Sequence, residues 1–227
     1  MNWLLATVMA ALSAGLSYAI LNKNCANRIR LFNAFSAGED FESREMSSIH
    51  IWLGVILIGA SSFAAMVQIA EHVSHWVNVW KLSVSLLCLV GSACFDYRER
   101  RIPNLFPLVL ALCGVILYGI GFAVGQPGAI AYLTTGAVAT VLCALLLVLT
   151  AVVTKQGIGA GDIKLLCALA LTTGIDVLIG VLCFSIVSCC VVGIAALALK
   201  RKTLQDSLPF GPFIYFGFIL TILVLNF

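Results

Sequence analysis

Ten carboxylates share a chain of 227 residues that is 62% hydrophobic and only 10% charged. An acid at the edge of hydrocarbon is expensive and is kept where it does chemistry. Glu39, Asp40, Glu42, Glu45, Glu71 and Asp206 fall in polar stretches, Glu99 is flanked by arginines, and Asp176 sits in a short connection. Asp96 and Asp162 have no such surroundings. Asp96 closes an apolar run in "SACFDYRERRIPN", and Asp162 opens another in "GIGAGDIKLLCALAL". Two carboxylates held close in a partly dry site cannot both ionise cheaply, so they share a proton and titrate as a unit. Such a pair suits peptide hydrolysis: the ionised member takes a proton from water while the protonated one donates to the scissile carbonyl. That chemistry requires no metal, no cofactor and no nucleophilic side chain.

The elements that must position this pair are apolar helices. A mean hydropathy of +1.09 excludes a water-soluble globule, in which about 25% of residues are charged. Apolar stretches at 3–21, 50–70, 79–95, 105–124, 129–152, 163–173, 176–198 and 209–226 predict an all-α polytopic membrane protein with about eight transmembrane helices. The sixth is short for the roughly 17–25 residues that a crossing needs. The runs are continuous rather than alternating, which excludes a barrel. The reading is one membrane domain over 1–227, with a short polar loop at 22–49. Because Lys23 follows the first apolar run and no basic residue precedes it, that run is expected to be retained rather than cleaved as a signal peptide.

Every Lys and Arg except Lys81 falls in one of four clusters: Lys23 to Arg44, Arg98 to Arg101, Lys155 with Lys164, and Lys200 to Lys202. The positive-inside rule assigns these to the cytoplasm, with both termini outside. Asp96 and Asp162 then lie at the same face and at matching depth. The net charge of +3 is accounted for by this topology, so membrane lipid is an expected partner and nucleic acid is not. Trp3, Trp52, Trp76 and Trp80 lie near segment ends, as interfacial aromatics do. Eight of the nine cysteines lie in or beside apolar segments, where a thiol behaves as a small hydrophobe, and only Cys25 is in a loop. There is no C-x-x-C pair, so neither a zinc site nor a disulfide framework is expected. His72 and His75 beside Glu71 could hold a metal, although a solvated helix end explains them as well; His50 has no partner in the sequence.

Three stretches carry unusual backbone chemistry. Gly157, Gly159 and Gly161 remove side chains before Asp162, so that an extended substrate can approach or the chain can turn with φ > 0. Packing of small residues between helices is the alternative. In "RIPNLFPLVL", Pro103 biases Ile102 away from helix, Asn104 is a good N-cap and Pro107 falls in the first turn, so a helix restarts sharply just after Asp96. In "LPFGPFIYFG", Pro209, Gly211 and Pro212 loosen the start of the last segment, where a cavity or substrate could satisfy the backbone.

Taken together, "DYRERRIPN", "GAGDIKLL" and "PFGPFIYFG" resemble the three motifs of the type IV prepilin peptidases, in family order over residues 85–226. The resemblance implies a membrane aspartic protease of the bacterial cytoplasmic membrane that removes the leader of prepilins or pseudopilins at the cytoplasmic face. It implies Asp96 and Asp162 as the catalytic pair, with Pro103 and Asn104 matching the first motif, Gly159, Gly161 and Lys164 the second, and Pro209, Gly211 and Pro212 the third. Longer members carry a zinc-binding C-x-x-C domain between the first two helices, and some also N-methylate the product. Here the loop 22–49 holds Cys25 alone, which favours a peptidase without methyl transfer, closer to the short enzymes that serve Flp-type pili. An ion-coupled transporter, a presenilin-like Gly-x-Gly-Asp protease and a catalytically silent assembly factor are the alternatives.

Family substrates have a basic leader, a Gly before the cut and an apolar helix after it, which gives the acidic cluster Glu39, Asp40, Glu42 and Glu45 a use as a docking surface. A solvated charge run is the competing account. Reversing these four charges is expected to raise KM for leader cleavage and leave kcat largely alone. An unchanged KM at low salt would remove this role.

Overall fold

The computed structural model describes residues 2–21, 48–72, 76–153, 159–199 and 208–224. Among these residues the chain forms eight helices and no strands: α1 (Asn2–Leu21), α2 (Ser48–His72), α3 (Trp76–Glu99), α4 (Leu105–Ala123), α5 (Ala129–Val153), α6 (Ala160–Thr173), α7 (Ile175–Ala198) and α8 (Gly211–Val224). Each apolar segment read from the sequence corresponds to one helix. The largest boundary shift is in α3, which runs four residues past its apolar stretch to Glu99 and so takes Asp96 into the helix, while α6 starts three residues earlier than its apolar run and takes Asp162 into its first turn. Asp176, expected in a connection, lies instead in the first turn of α7, where a carboxylate complements the positive end of the helix dipole.

By length and composition, α3, α4, α5 and α7 can cross a membrane, and α1, α2 and α8 carry shorter apolar stretches. The three outer spans expose apolar surface along their length, for example Leu112, Val115 and Ile116 on α4, Leu145 and Leu149 on α5, and Val191 and Ile194 on α7. Apolar exposure on that scale needs a nonaqueous environment, so the chain is a membrane protein. In contrast, α3 is buried over most of its length and packs against α1, α2, α4, α6 and α8. It is the central element, and Asp96 sits in its last turn.

At the start of α3, Lys81 is buried, with its Nζ 3.5 Å from the centroid of the Tyr118 ring and 5.8 Å from that of Tyr132. The two rings belong to α4 and α5, so this cation–π cluster holds three helices together at the end of the bundle opposite Asp96.

Helix α6 spans 14 residues, or about 21 Å, less than the roughly 30 Å of a hydrocarbon core. It is held by close backbone approach between α4 and α5. A Cβ at Gly136 would lie 2.6 Å from the Leu171 carbonyl oxygen, and one at Gly114 would lie 2.6 Å from Thr172 Oγ1. Thr172 donates to the Leu110 carbonyl at 3.2 Å and Tyr118 donates to the Thr172 carbonyl at 3.3 Å. Gly174, with φ 84°, is the whole connection to α7, a backbone state that glycine adopts without steric cost. Because the α5–α6 contact is to backbone, Gly136→Val is expected to destabilise the fold by about 1–3 kcal/mol of overpacking, read as a lower unfolding midpoint in detergent. An unchanged midpoint would mean that α6 is not seated this way.

Candidate active site

Asp96 is only 7% exposed at the end of α3. Its Oδ2 accepts the N–H of Gly211, the first residue of α8, at 2.6 Å. The first N–H groups of a helix have no partner within it and sit at the positive end of its dipole, so this is a natural cradle for a carboxylate. The approach depends on glycine: a Cβ at Gly211 would be 2.9 Å from Asp96 Cβ and 3.0 Å from Oδ2. Pro212 follows in the first helical turn, where its missing N–H costs little, and Pro209 lies in the approach to α8.

After Glu99 the chain turns at Arg100, which has φ 53° and donates its N–H to the Asp96 carbonyl at 2.9 Å. This left-handed residue ends α3 in the way a glycine commonly does. Residues 101–103 then run without helix until α4 begins at Leu105. Phe95 and Phe106 pack with ring centroids 5.6 Å apart, fixing the start of α4 against the residue before Asp96. The sequence marked Asn104 as a side-chain cap, and this is corrected. It occupies the N-cap position, but its side chain makes no cap hydrogen bond there; Oδ1 instead accepts from Lys164 Nζ at 3.0 Å. The ammonium of Lys164 is a stronger donor than a backbone N–H, and the contact ties the first motif to the second.

Asp162 is the third residue of α6, with Gly159 at the N-cap. Its carboxylate accepts a hydrogen bond from the Gly159 backbone, the arrangement an acidic side chain at that position uses to satisfy the helix start. Gly159 has φ −67° and ψ 141°, which any residue adopts, so a left-handed turn is not the reason for glycine there. Close approach accounts for it better, since a Cβ at Gly159 would lie 3.1 Å from Asp162 Oδ2. Likewise, a Cβ at Gly161 would lie 3.1 Å from the Cβ of Ile102 in the first motif.

Asp162 lies at the end of the bundle, in a helix too short to span. Its Oδ1 is buried and has no hydrogen-bond partner among the described residues. Burial pushes its carboxyl up to about 7, the negative charge of Asp96 adds to the effect, and the Gly159 hydrogen bond opposes it. The two acids therefore sit within electrostatic reach of each other. One is held on a helix N-terminus, and the other is buried with one oxygen that has no partner among the described residues.

Two features of the site had no distinctive signal in the sequence. Arg98, one of three arginines in a basic run, is buried and donates from Nη1 to the Ile20 carbonyl at 2.7 Å, capping the C-terminal end of α1. One turn into α8, the Tyr215 hydroxyl lies 2.7 Å from Ser61 Oγ and 3.0 Å from Ser62 Oγ, which ties α8 to α2. Gly157, Cys25, the acidic cluster 39–45 and His75, together with the side chains of His50, Glu71 and His72, lie outside the described residues.

Residues 82–197, just over half of the chain, match the type IV leader peptidase family. The chain belongs to that family. No curated protein and no solved structure gives a match. The matched span of the peptidase contains Asp96, Pro103, Asn104, Gly159, Gly161, Asp162 and Lys164, whereas Pro209, Gly211 and Pro212 lie beyond it. That α8 delivers Gly211 onto Asp96 is thus a contribution of the fold from outside the matched region.

The raised carboxyl has a consequence for stability. An Asp at its ordinary 3.8 in the unfolded chain ionises freely above that pH, while folded Asp162 holds its proton up to about 7. Stability is therefore lost as pH rises from about 4 to 7 and levels off above, by up to about 3–4 kcal/mol. Asp162→Asn is expected to leave the unfolding midpoint of the peptidase unchanged near pH 4 and to raise it relative to wild type at pH 7.5. Parallel pH profiles for the two proteins would contradict the burial of this group.

Proposed function

We propose that the protein is an aspartic leader peptidase in which Asp96 and Asp162 are the catalytic pair, cutting prepilins or pseudopilins after a basic leader. The observation that carries this reading is that two carboxylates from different helices share one end of the bundle, each steadied by a backbone N–H, with Asp162 holding a proton near neutrality. Asp96, whose ionised form the Gly211 N–H supports, takes a proton from water as the water oxygen bonds to the scissile carbonyl carbon. Asp162 donates its proton to the carbonyl oxygen. Collapse of the tetrahedral intermediate returns that proton to Asp162, breaks the C–N bond and sends the proton on Asp96 to the leaving amine. No cofactor takes part.

Gly159 leaves room for the Asp162 carboxylate over the helix start, and Gly161 lets Ile102 of the first motif pack against it. Lys164, Asn104 and Pro103 lock the segment after α3 against α6. Pro209 and Pro212 frame the glycine that touches Asp96. In this reading the catalytic end faces the cytoplasm of a bacterial inner membrane, all eight helices form the membrane bundle, and both termini lie outside. The short stretch at 22–49, with Cys25 alone, favours proteolysis without methyl transfer. A location at the end of the bundle favours cleavage at the membrane edge over ion transport, which would place its acids near mid-membrane.

The test is a size shift of a leader-bearing pilin incubated with the purified protein in lipid. Asp96→Asn and Asp162→Asn are each expected to lower cleavage by about a thousand-fold or more, as removal of one member of a concerted pair does. Cleavage that persists in Asp162→Ala would remove the mechanism.

A further inference from the structure

Beside Asp96 lies an apolar groove of about 340 Å³ between α1 and α2 on one side and α3 and α8 on the other. It has a direction. At the level of the catalytic pair its rim is formed by Leu21, Tyr97 and Pro212, the last next to the Gly211 that bonds Asp96. One turn further into the bundle, Ile58, Ala93 and Tyr215 line it. Because α3 runs toward the site while α2 and α8 run away from it, each helix carries the groove inward from the acids along the bundle axis. Leu53 and Leu57, 54% and 68% exposed, form its open side, so it can be entered laterally from the membrane.

The floor has no polar demand to meet: the Tyr215 hydroxyl is already engaged by Ser61, Ser62 and the Ile58 carbonyl. An occupant must therefore be apolar and must run along the membrane normal. A volume of this size accepts a few side chains from one face of a helix, not a whole helix of ~10–12 Å diameter. Gly54, on the wall, lets such a helix come close, since nothing but Leu21 Cδ1, at 3.6 Å, would meet a Cβ there.

We infer that this groove is the subsite for the first turns of the apolar segment on the carboxyl side of the cut bond, packed against Gly54, Leu57, Cys94 and Pro212. The inference rests on the peptidase reading above. It assigns the groove to a substrate helix because the groove is continuous with the catalytic end and leads from it into the membrane, the path a chain cut at the membrane edge must follow. Placing that helix here contributes its binding energy to orientation of the scissile bond at Asp96 and Asp162.

Two synthetic polypeptides separate this inference from its foundation. One carries a basic leader ending in Gly followed by a 20-residue apolar segment, and the other stops a few residues after the Gly. Cleavage of either by the full chain in nanodiscs, abolished in Asp162→Asn, tests the peptidase reading. The groove is tested by the ratio of kcat/KM for the long polypeptide to that for the short one. Gly54→Phe is expected to lower this ratio at least ten-fold, mainly through KM of the long substrate. An unchanged ratio, including an equal loss on both substrates, would overturn the assignment. A photo-crosslinking amino acid in place of Leu57, in the Asp162→Asn chain, gives a second readout without filling the groove. Crosslinking to the apolar segment supports the subsite, and crosslinking only to lipid or to residues 22–47 overturns it.

Discussion

The backbone N–H of Gly211 reaches the Asp96 carboxylate, and this contact sets the start of α8 against the last turn of α3. Hydrogen bonding from the start of a helix favours a negative charge, and Arg100, just past the end of α3, adds a positive charge within reach of the same carboxylate. The cost is strict: α8 must arrive with glycine first, at the depth of the last turn of α3. The Tyr215 contacts with Ser61 and Ser62 hold α8 at that depth from the other side. A donor on a helix axis moves only if the whole helix moves, which is a stiffer support than a side chain offers.

The second acid is positioned by a different device. Asp162 sits in the first turn of a helix too short to span, seated between α4 and α5 by glycines and by Thr172. A short helix allows its start to lie within the packed end of the bundle instead of projecting from it, which is why the carboxyl is buried enough to hold a proton. The two acids thus differ in support: one is bonded by the first residue of α8, and the other is carried in the first turn of α6.

Much of this was legible in the sequence. The apolar runs marked the helices because lipid requires long continuous stretches, and Asp96 and Asp162 stood out as acids lacking a solvated setting. What escaped was contact across the chain. Asn104 has the residue type of a cap, but it turns to Lys164, sixty positions away, because a charged donor outcompetes a backbone N–H. The glycines before Asp162 read as room for a substrate, as turn residues or as helix packing, and those described make close approaches whose partners spacing does not reveal. Arg98 is indistinguishable from Arg101 in a list of residues. Only folding shows which of the two is buried and reaches a helix end.

That arginine has a wider consequence. By capping α1 at Ile20, and with α1 packed along α2, it fixes where the chain leaves the first helix, beside the groove and within one turn of Asp96 on α3. Because the same arginine sits two residues after Asp96 on α3, one guanidinium works as a rivet: any displacement of α1 is passed directly to the end of α3 that carries the carboxylate.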